Sequence, residues 1–238
     1  MMNAAFTELG MDWRYVHLPI SSPRFAETVR ALPGSGYRGA NVTIPHKLAA
    51  HEVADELSAA ARAIGAVNTL VFTPDGRVLG DNTDAGGFID ALGMDPAGRR
   101  ALVLGAGGAG RAVVWALREA GAEVAVWNRN AVRAADLASE LGVRAVTAGE
   151  PTDILVNATS VGLRGEDPTE ELPLEPAELV VDLVYGSAPT SLCRWAQARG
   201  ARVVGGFEML VRQGARSFEL WTSRRAPLAA MRAALRSV

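Results

Sequence analysis

The second half of the chain repeats one pattern. A short, nearly continuous apolar run is followed by a longer segment with helical spacing. Ala101–Leu104 and Glu123–Trp127 read as strands, and Val143–Val146 as a short third one. Ile154–Val156, Leu179–Val181 and Arg202–Val204 continue the series. Between the first three runs, Arg111–Ala120 and Ala131–Leu141 read as helices. Strands alternating with helices in this way predict a parallel sheet covered by helices, in a doubly wound arrangement.

The first half is different. It is helix-rich, with shorter apolar runs such as Val67–Phe72. The stretch Gly93–Arg99 breaks both periods just before the first strand of the second half, and a domain boundary is expected there. The expected organisation is α/β with two domains, a substrate domain at 1–96 and a nucleotide domain at 97–207. Residues 208–238 read as two helices broken near Pro227, expected to pack back on the first domain.

Composition narrows the class. At 238 residues and 49% hydrophobic content, the chain can bury a core of one large or two modest domains. A net charge of −2 gives no electrostatic ground for a nucleic-acid partner. Cys193 is the lone cysteine and cannot form an internal disulfide, so a reducing cytoplasm is expected. Met1–Gly10 lacks the basic start and apolar run of a leader, and no apolar run is long enough to span a membrane. No metal site is expected, and the assembly is expected to be a monomer or homodimer.

The sharpest local signal is Gly105-Ala106-Gly107-Gly108-Ala109-Gly110. It directly follows a strand and opens a helix, the context that gives a G-x-G-x-x-G sequence its meaning. The first glycine makes the tight turn, the second lets the backbone approach a pyrophosphate, and the third allows close helix–sheet packing. Amides at the helix start then face the phosphates. The end of the second strand selects the dinucleotide. An NAD site places Asp or Glu there to accept from the ribose hydroxyls. This chain has Asn128-Arg129-Asn130, with Arg133 one turn further. Guanidinium groups bind a 2′-phosphate that a carboxylate would repel, so NADP is expected.

Three polar clusters interrupt the first half: Asn41–Lys47, Gly65–Thr69 and Gly80–Gly87. Taken singly, each is compatible with a turn. Together they supply hydroxyls, amides, one ammonium and carboxylates, a set suited to a small polyhydroxylated substrate.

These motifs resemble those of the shikimate dehydrogenase family. The likeness covers N-V-T-x-P-x-K at Asn41–Lys47, G-A-V-N-T at Gly65–Thr69 and N-T-D-x-x-G at Asn82–Gly87. It continues through the glycine turn, Asn128-Arg129, Asn157–Gly162, Val181–Tyr185 and Gly206–Gln213. The resemblance implies NADP-linked interconversion of 3-dehydroshikimate and shikimate in aromatic amino-acid biosynthesis. It implies Lys47 and Asp84 as the catalytic pair, and Thr43, Asn68, Tyr185 and Gln213 on the substrate. It also places Asn157, Thr159, Gly206 and Met209 beside the cofactor. His46 is read as structural, and Met209 and Trp221 as contributing chiefly to packing.

One family segment is missing. Members open with a strand ending in G-x-P-x-x-H-S-x-S-P, whose serines bind the substrate carboxylate. Here Met1-Met2-Asn3 aligns just after the serine pair. The expectation is a folded cofactor domain with impaired shikimate binding, because a neighbouring strand loses its partner. Two alternatives follow: a quinate/shikimate dehydrogenase paralogue, or a non-catalytic NADP-binding relative.

Overall fold

The computed structural model describes residues 1–164, 166–186 and 188–236. Positions 237 and 238 of the expected C-terminal segment lie outside the described residues. The chain divides into two units, Met1–Gly87 with Val211–Val238, and Phe88–Leu210. The first division falls inside a helix, ahead of the 93–99 break. The second division falls between Leu210 and Val211, also inside a helix.

The first unit opens with α1 (Met2–Glu8), α2 (Phe25–Ala31), β1 (Gly39–Asn41), α3 (Lys47–Val53), β2 (Glu56–Leu57) and α4 (Ala59–Ile64). A hairpin follows, β3 (Thr69–Phe72) and β4 (Val78–Asp81), then α5 (Thr83–Leu92). The sheet runs β1-β3-β4-β2, antiparallel except for β2 beside β4. Its core gathers Phe25, Val29, Ala50, Val53, Leu70 and Val78. Both α4 and α5 start at a capped end. Ser58 Oγ accepts from the Ala61 amide, and Asn82 Oδ1 from the Ala85 amide. Such caps satisfy donors that a helix start leaves free.

The second unit holds β5 (Arg100–Leu104), α6 (Gly108–Glu119), β6 (Glu123–Trp127), α7 (Ala131–Leu141) and β7 (Arg144–Ala145). It continues with β8 (Ile154–Asn157), α8 (Pro168–Glu171), β9 (Leu179–Asp182), α9 (Ser191–Gln197) and β10 (Arg202–Gly205). The strands form one parallel sheet in the order β10-β9-β8-β5-β6-β7. Every residue of β8 and β9 is buried, as a sheet covered on both faces requires. The strand order reverses between β5 and β8, which makes the crevice beyond their carboxyl ends the expected ligand position of a doubly wound sheet.

Several elements differ from the sequence reading. Helix α6 starts at Gly108, inside the glycine run, because Gly107 takes the N-cap position. Strand β7 is two residues rather than four. Helices α8 and α9 carry no sequence signal long enough to show a period, yet each is capped, by Asp167 and Thr190. The chain ends with α10 (Gly206–Thr222), which begins two residues before the expected Glu208, and α11 (Leu228–Arg236). Pro227 sits in the break between them.

Within the first unit, α10 and α11 pack against α1. Phe218 and Met231 are fully buried with Met2, Ala5 and Phe6. The Trp221 indole donates to the Leu70 carbonyl and ties α10 to β3. Gly87 lets α5 and α10 meet at backbone distance: a Cβ there would stand 2.5 Å from the Gln213 nitrogen. That contact is against main chain, so an alanine can be admitted only by separating the helices. Gly87→Ala is expected to destabilise the first unit by about 1–3 kcal/mol, as overpacking does. Chemical denaturation checks this, and an unchanged midpoint would contradict the close approach.

Candidate active site

In the first unit four chain segments converge on a buried polar cluster. Lys47 opens α3, where His46 forms the N-cap and the Lys47 carbonyl accepts from the Val67 amide at 3.0 Å. Asp84 lies in the first turn of α5, where a carboxylate complements the helix dipole. Asn68 immediately precedes β3, and Gln213 comes from α10. Lys47 Nζ donates to Asp84 Oδ2 at 2.5 Å, with side chains 14% and 7% exposed. Asn68 Nδ2 donates to Asp84 Oδ1 at 2.9 Å and to Gln213 Oε1 at 3.3 Å. Both carboxylate oxygens of Asp84 are therefore engaged, one by the ammonium and one by the amide.

Behind this front lies a group of hydroxyls. Asn68 Oδ1 accepts from the Thr83 amide at 2.7 Å and from the hydroxyls of Thr69 and Thr83 at 3.1 Å each. Ser217, fully buried on α10, pairs with Thr69 at 2.8 Å and Thr83 at 3.1 Å, and accepts from Asn41 Nδ2 at 2.8 Å. These bonds fix the Asn68 amide, so its amino end faces Asp84. Thr69 and Thr83 stand inside sequence motifs, but Ser217 does not. Its only signal is its place four residues after Gln213, on the same face of a helix.

Of the residues expected on the substrate, Asn68 and Gln213 thus stand with Lys47 and Asp84. Thr43 is exposed on the turn before α3, and its carbonyl accepts from the His46 amide at 2.9 Å. Tyr185 belongs to the second unit, half exposed, its ring 5.6 Å from that of Phe207. His46 is structural in its contacts: it stacks on Phe25 at 4.6 Å, and its Nε2 lies 3.0 Å from the Ile20 carbonyl.

In the second unit the glycine turn lies at the end of β5. Gly105 has φ +116°, a conformation closed to other residues, and a Cβ there would meet the Ala158 carbonyl at 2.7 Å. A Cβ on Gly110 would stand 2.0 Å from the Gly105 carbonyl, so the loop closes only with glycine at both ends. Gly107, between them, faces open space and gives α6 no side-chain cap. The turn Gly105–Gly110, with Ala106, Gly108 and Ala109, therefore leaves the first backbone donors of α6 without a side-chain cap.

Asn128 is turned inward. Its Oδ1 accepts from the Ala106 amide at 3.2 Å, and its Nδ2 donates to the Asn130 carbonyl at 3.0 Å. It braces the loop against β6. Arg129 and Arg133 flank the α7 start, and among the described residues neither guanidinium has a hydrogen-bond or ion-pair partner. Two unengaged cations at a helix N-terminus, where the dipole disfavours them, suit an anionic ligand.

On the β8 side, Asn157 is fully buried and used at both ends. It donates to Asp182 at 2.9 Å and accepts from the Thr159 amide and hydroxyl at 3.1 and 2.7 Å. Burial pushes the Asp182 carboxyl above its ordinary range, opposed by donors from Thr190, Val184 and Asn157. Gly206 packs against the Leu183 and Val184 carbonyls, and Met209 is buried.

Known proteins share this chain's sequence and fold. Residues 1–70 match the family description "shikimate dehydrogenase substrate binding domain". Residues 91–161 match "shikimate / quinate 5-dehydrogenase", and residues 206–236 match "shikimate 5′-dehydrogenase C-terminal domain". The NADP(+) shikimate dehydrogenase of Methylobacterium radiotolerans is 46% identical, over 89% of this chain and 82% of its own. The shikimate 5-dehydrogenase of Thermus thermophilus, solved with NADP(H) and shikimate, is 43% identical with a TM-score of 0.89, covering 99% and 92% of the two chains. The shikimate dehydrogenase of Aquifex aeolicus is 32% identical with a TM-score of 0.91, covering 99% and 91%. With identity this high over nearly its whole length, the chain belongs to the shikimate dehydrogenase family.

Proposed function

We propose that this chain is an NADP-dependent shikimate dehydrogenase, reducing the C3 carbonyl of 3-dehydroshikimate to the alcohol of shikimate and running the reverse oxidation. The observation that carries the reading is the Lys47–Asp84 pair at 2.5 Å, with Asn68 and Gln213 beside it. As a carbonyl is reduced, its oxygen becomes an alkoxide that needs a proton and a nearby positive charge. The Lys47 ammonium supplies both, and in the reverse direction its amine takes the proton back. Asp84 keeps Nζ in place and accepts from a ring hydroxyl. Asn68 and Gln213, with Thr43, bind the remaining hydroxyls and the carboxylate.

The residues of the second unit fit a dinucleotide. The open space at Gly107, the uncapped start of α6 and the unengaged Arg129 and Arg133 suit a pyrophosphate and a 2′-phosphate. When bound, NADPH supplies the hydride. The intact Lys47–Asp84 pair favours an enzyme over a non-catalytic binder. Among the described residues no helix is long and apolar enough to cross a membrane. A cytoplasmic setting suits the buried thiol of Cys193.

The test is NADP+ reduction at alkaline pH with shikimate, with quinate and with no added substrate. Turnover with shikimate above the other two arms is expected; turnover with quinate alone, or with neither, would contradict the reading. Asp84→Asn is expected to lower kcat by about a hundredfold, through loss of geometry at Lys47, while the Kd for NADPH stays put. An Asp84→Asn enzyme with wild-type kcat would remove the pair from the mechanism. Arg129→Ala is expected to weaken NADPH binding about tenfold and leave NADH binding nearly unchanged, because only the 2′-phosphate is lost to it. An equal loss for both cofactors would assign Arg129 another role.

A further inference from the structure

Two strand ends in the second unit are locked together out of solvent. Asn157 ends β8 and Asp182 ends β9, at matching positions of the parallel ladder. Both are fully buried. Asp182 Oδ1 accepts from Asn157 Nδ2 at 2.9 Å and from the Val184 amide at 3.1 Å, while Oδ2 accepts from the Thr190 hydroxyl at 2.5 Å. The Val184 amide can only donate, so Oδ1 is an acceptor, and Asn157 must turn its amino end toward it. The Asn157 carbonyl oxygen is thereby aimed at the following turn.

That turn is built on this oxygen. It takes the Thr159 amide and hydroxyl, and the same hydroxyl accepts from the Val161 amide at 3.0 Å. The Thr159 side chain is thus spent within the turn. The turn also abuts the glycine loop: the Ala158 amide donates to the Leu104 carbonyl at 2.8 Å, and the Ala158 carbonyl limits Gly105. In a doubly wound sheet the two halves of a dinucleotide lie on opposite sides of the strand-order reversal. Asn128, Arg129 and Arg133 occupy the β6 side and suit the 2′-phosphorylated half. The 157–162 turn, on the β8 side, is left for the nicotinamide half.

We propose that Asp182 is a positioning residue for the nicotinamide half of the cofactor, acting through Asn157 on the backbone of the 157–162 turn. Neither side chain touches the ligand. The inference rests on reading the second unit as the dinucleotide site.

Calorimetric titration of the full chain with NADPH and with adenosine 2′,5′-bisphosphate separates the two. The second probe carries the 2′-phosphate but no nicotinamide. Asp182→Ala is expected to weaken NADPH about tenfold or more, the loss typical of a hydrogen bond to a charged group, and to leave adenosine 2′,5′-bisphosphate within about twofold. Asn157→Ala is expected to give the same pattern while keeping the Asp182 bonds to Val184 and Thr190, so it carries the test if Asp182→Ala does not fold. The double variant is expected to bind no worse than Asn157→Ala alone, because both act along one path. Equal loss of both probes would reduce Asp182 to a structural role and overturn the proposal, as would wild-type NADPH affinity in both single variants. Additive losses in the double variant would also overturn it. A wild-type chain that fails to bind NADPH would instead overturn the dinucleotide reading, and this inference with it.

Discussion

Lys47 and Asp84 sit largely out of water, and neither could stay there without the other. A buried charge is tolerated when it is paired and its remaining hydrogen-bonding capacity is met, and removal of one partner leaves the other stranded. The first unit is organised around that requirement. Asp84 spends one oxygen on Lys47 and the other on Asn68. Asn68 can face Asp84 only because Thr69 and Thr83 hold its other end. Those hydroxyls are held in turn by Ser217 on α10, and α10 comes near enough only because Gly87 has no side chain. An ion pair, an amide, three hydroxyls and one glycine thus form a single dependency.

The second unit solves a different problem with the same economy. Its glycine turn must present backbone donors without closing on itself, so Gly105 and Gly110 stand where any side chain would collide with main chain. The side chains that surround the turn are mostly braces. Asn128 holds the Ala106 amide, and Asn157 holds the turn beyond β8. Arg129 and Arg133 differ in being exposed and unengaged among the described residues. Residues grouped together in the sequence as cofactor-binding therefore divide into those that face outward and those that shape the backbone.

The inner parallel strands β5, β6, β8 and β9 were legible because burial on both faces writes them as continuous apolar runs. Helices α8 and α9 were not, since four and seven residues are too few to display a helical period. The sheet of the first unit was largely hidden as well: β1 and β2 are three and two residues long and half-exposed. At the site, Lys47, Asp84 and Asn68 were found through motifs, and Gln213 through its place in the last one. Ser217 and Asp182 were given no role. Their contacts join positions distant in sequence, 148 residues in the case of Ser217 and Thr69, and 25 for Asn157 and Asp182. Such pairings are made by register and helix packing, which a linear pattern does not record.

The central claim is that Lys47 carries the proton while the dinucleotide is held elsewhere in the chain. A single-turnover experiment addresses it directly: Lys47→Met enzyme, preloaded with NADP+, is mixed with saturating shikimate and the appearance of NADPH is followed. The expected result is that NADP+ binds as tightly as to the wild type while the rate of NADPH formation falls at least about a hundredfold, the low end of general acid–base effects. A hydride-transfer rate equal to that of the wild type would contradict it.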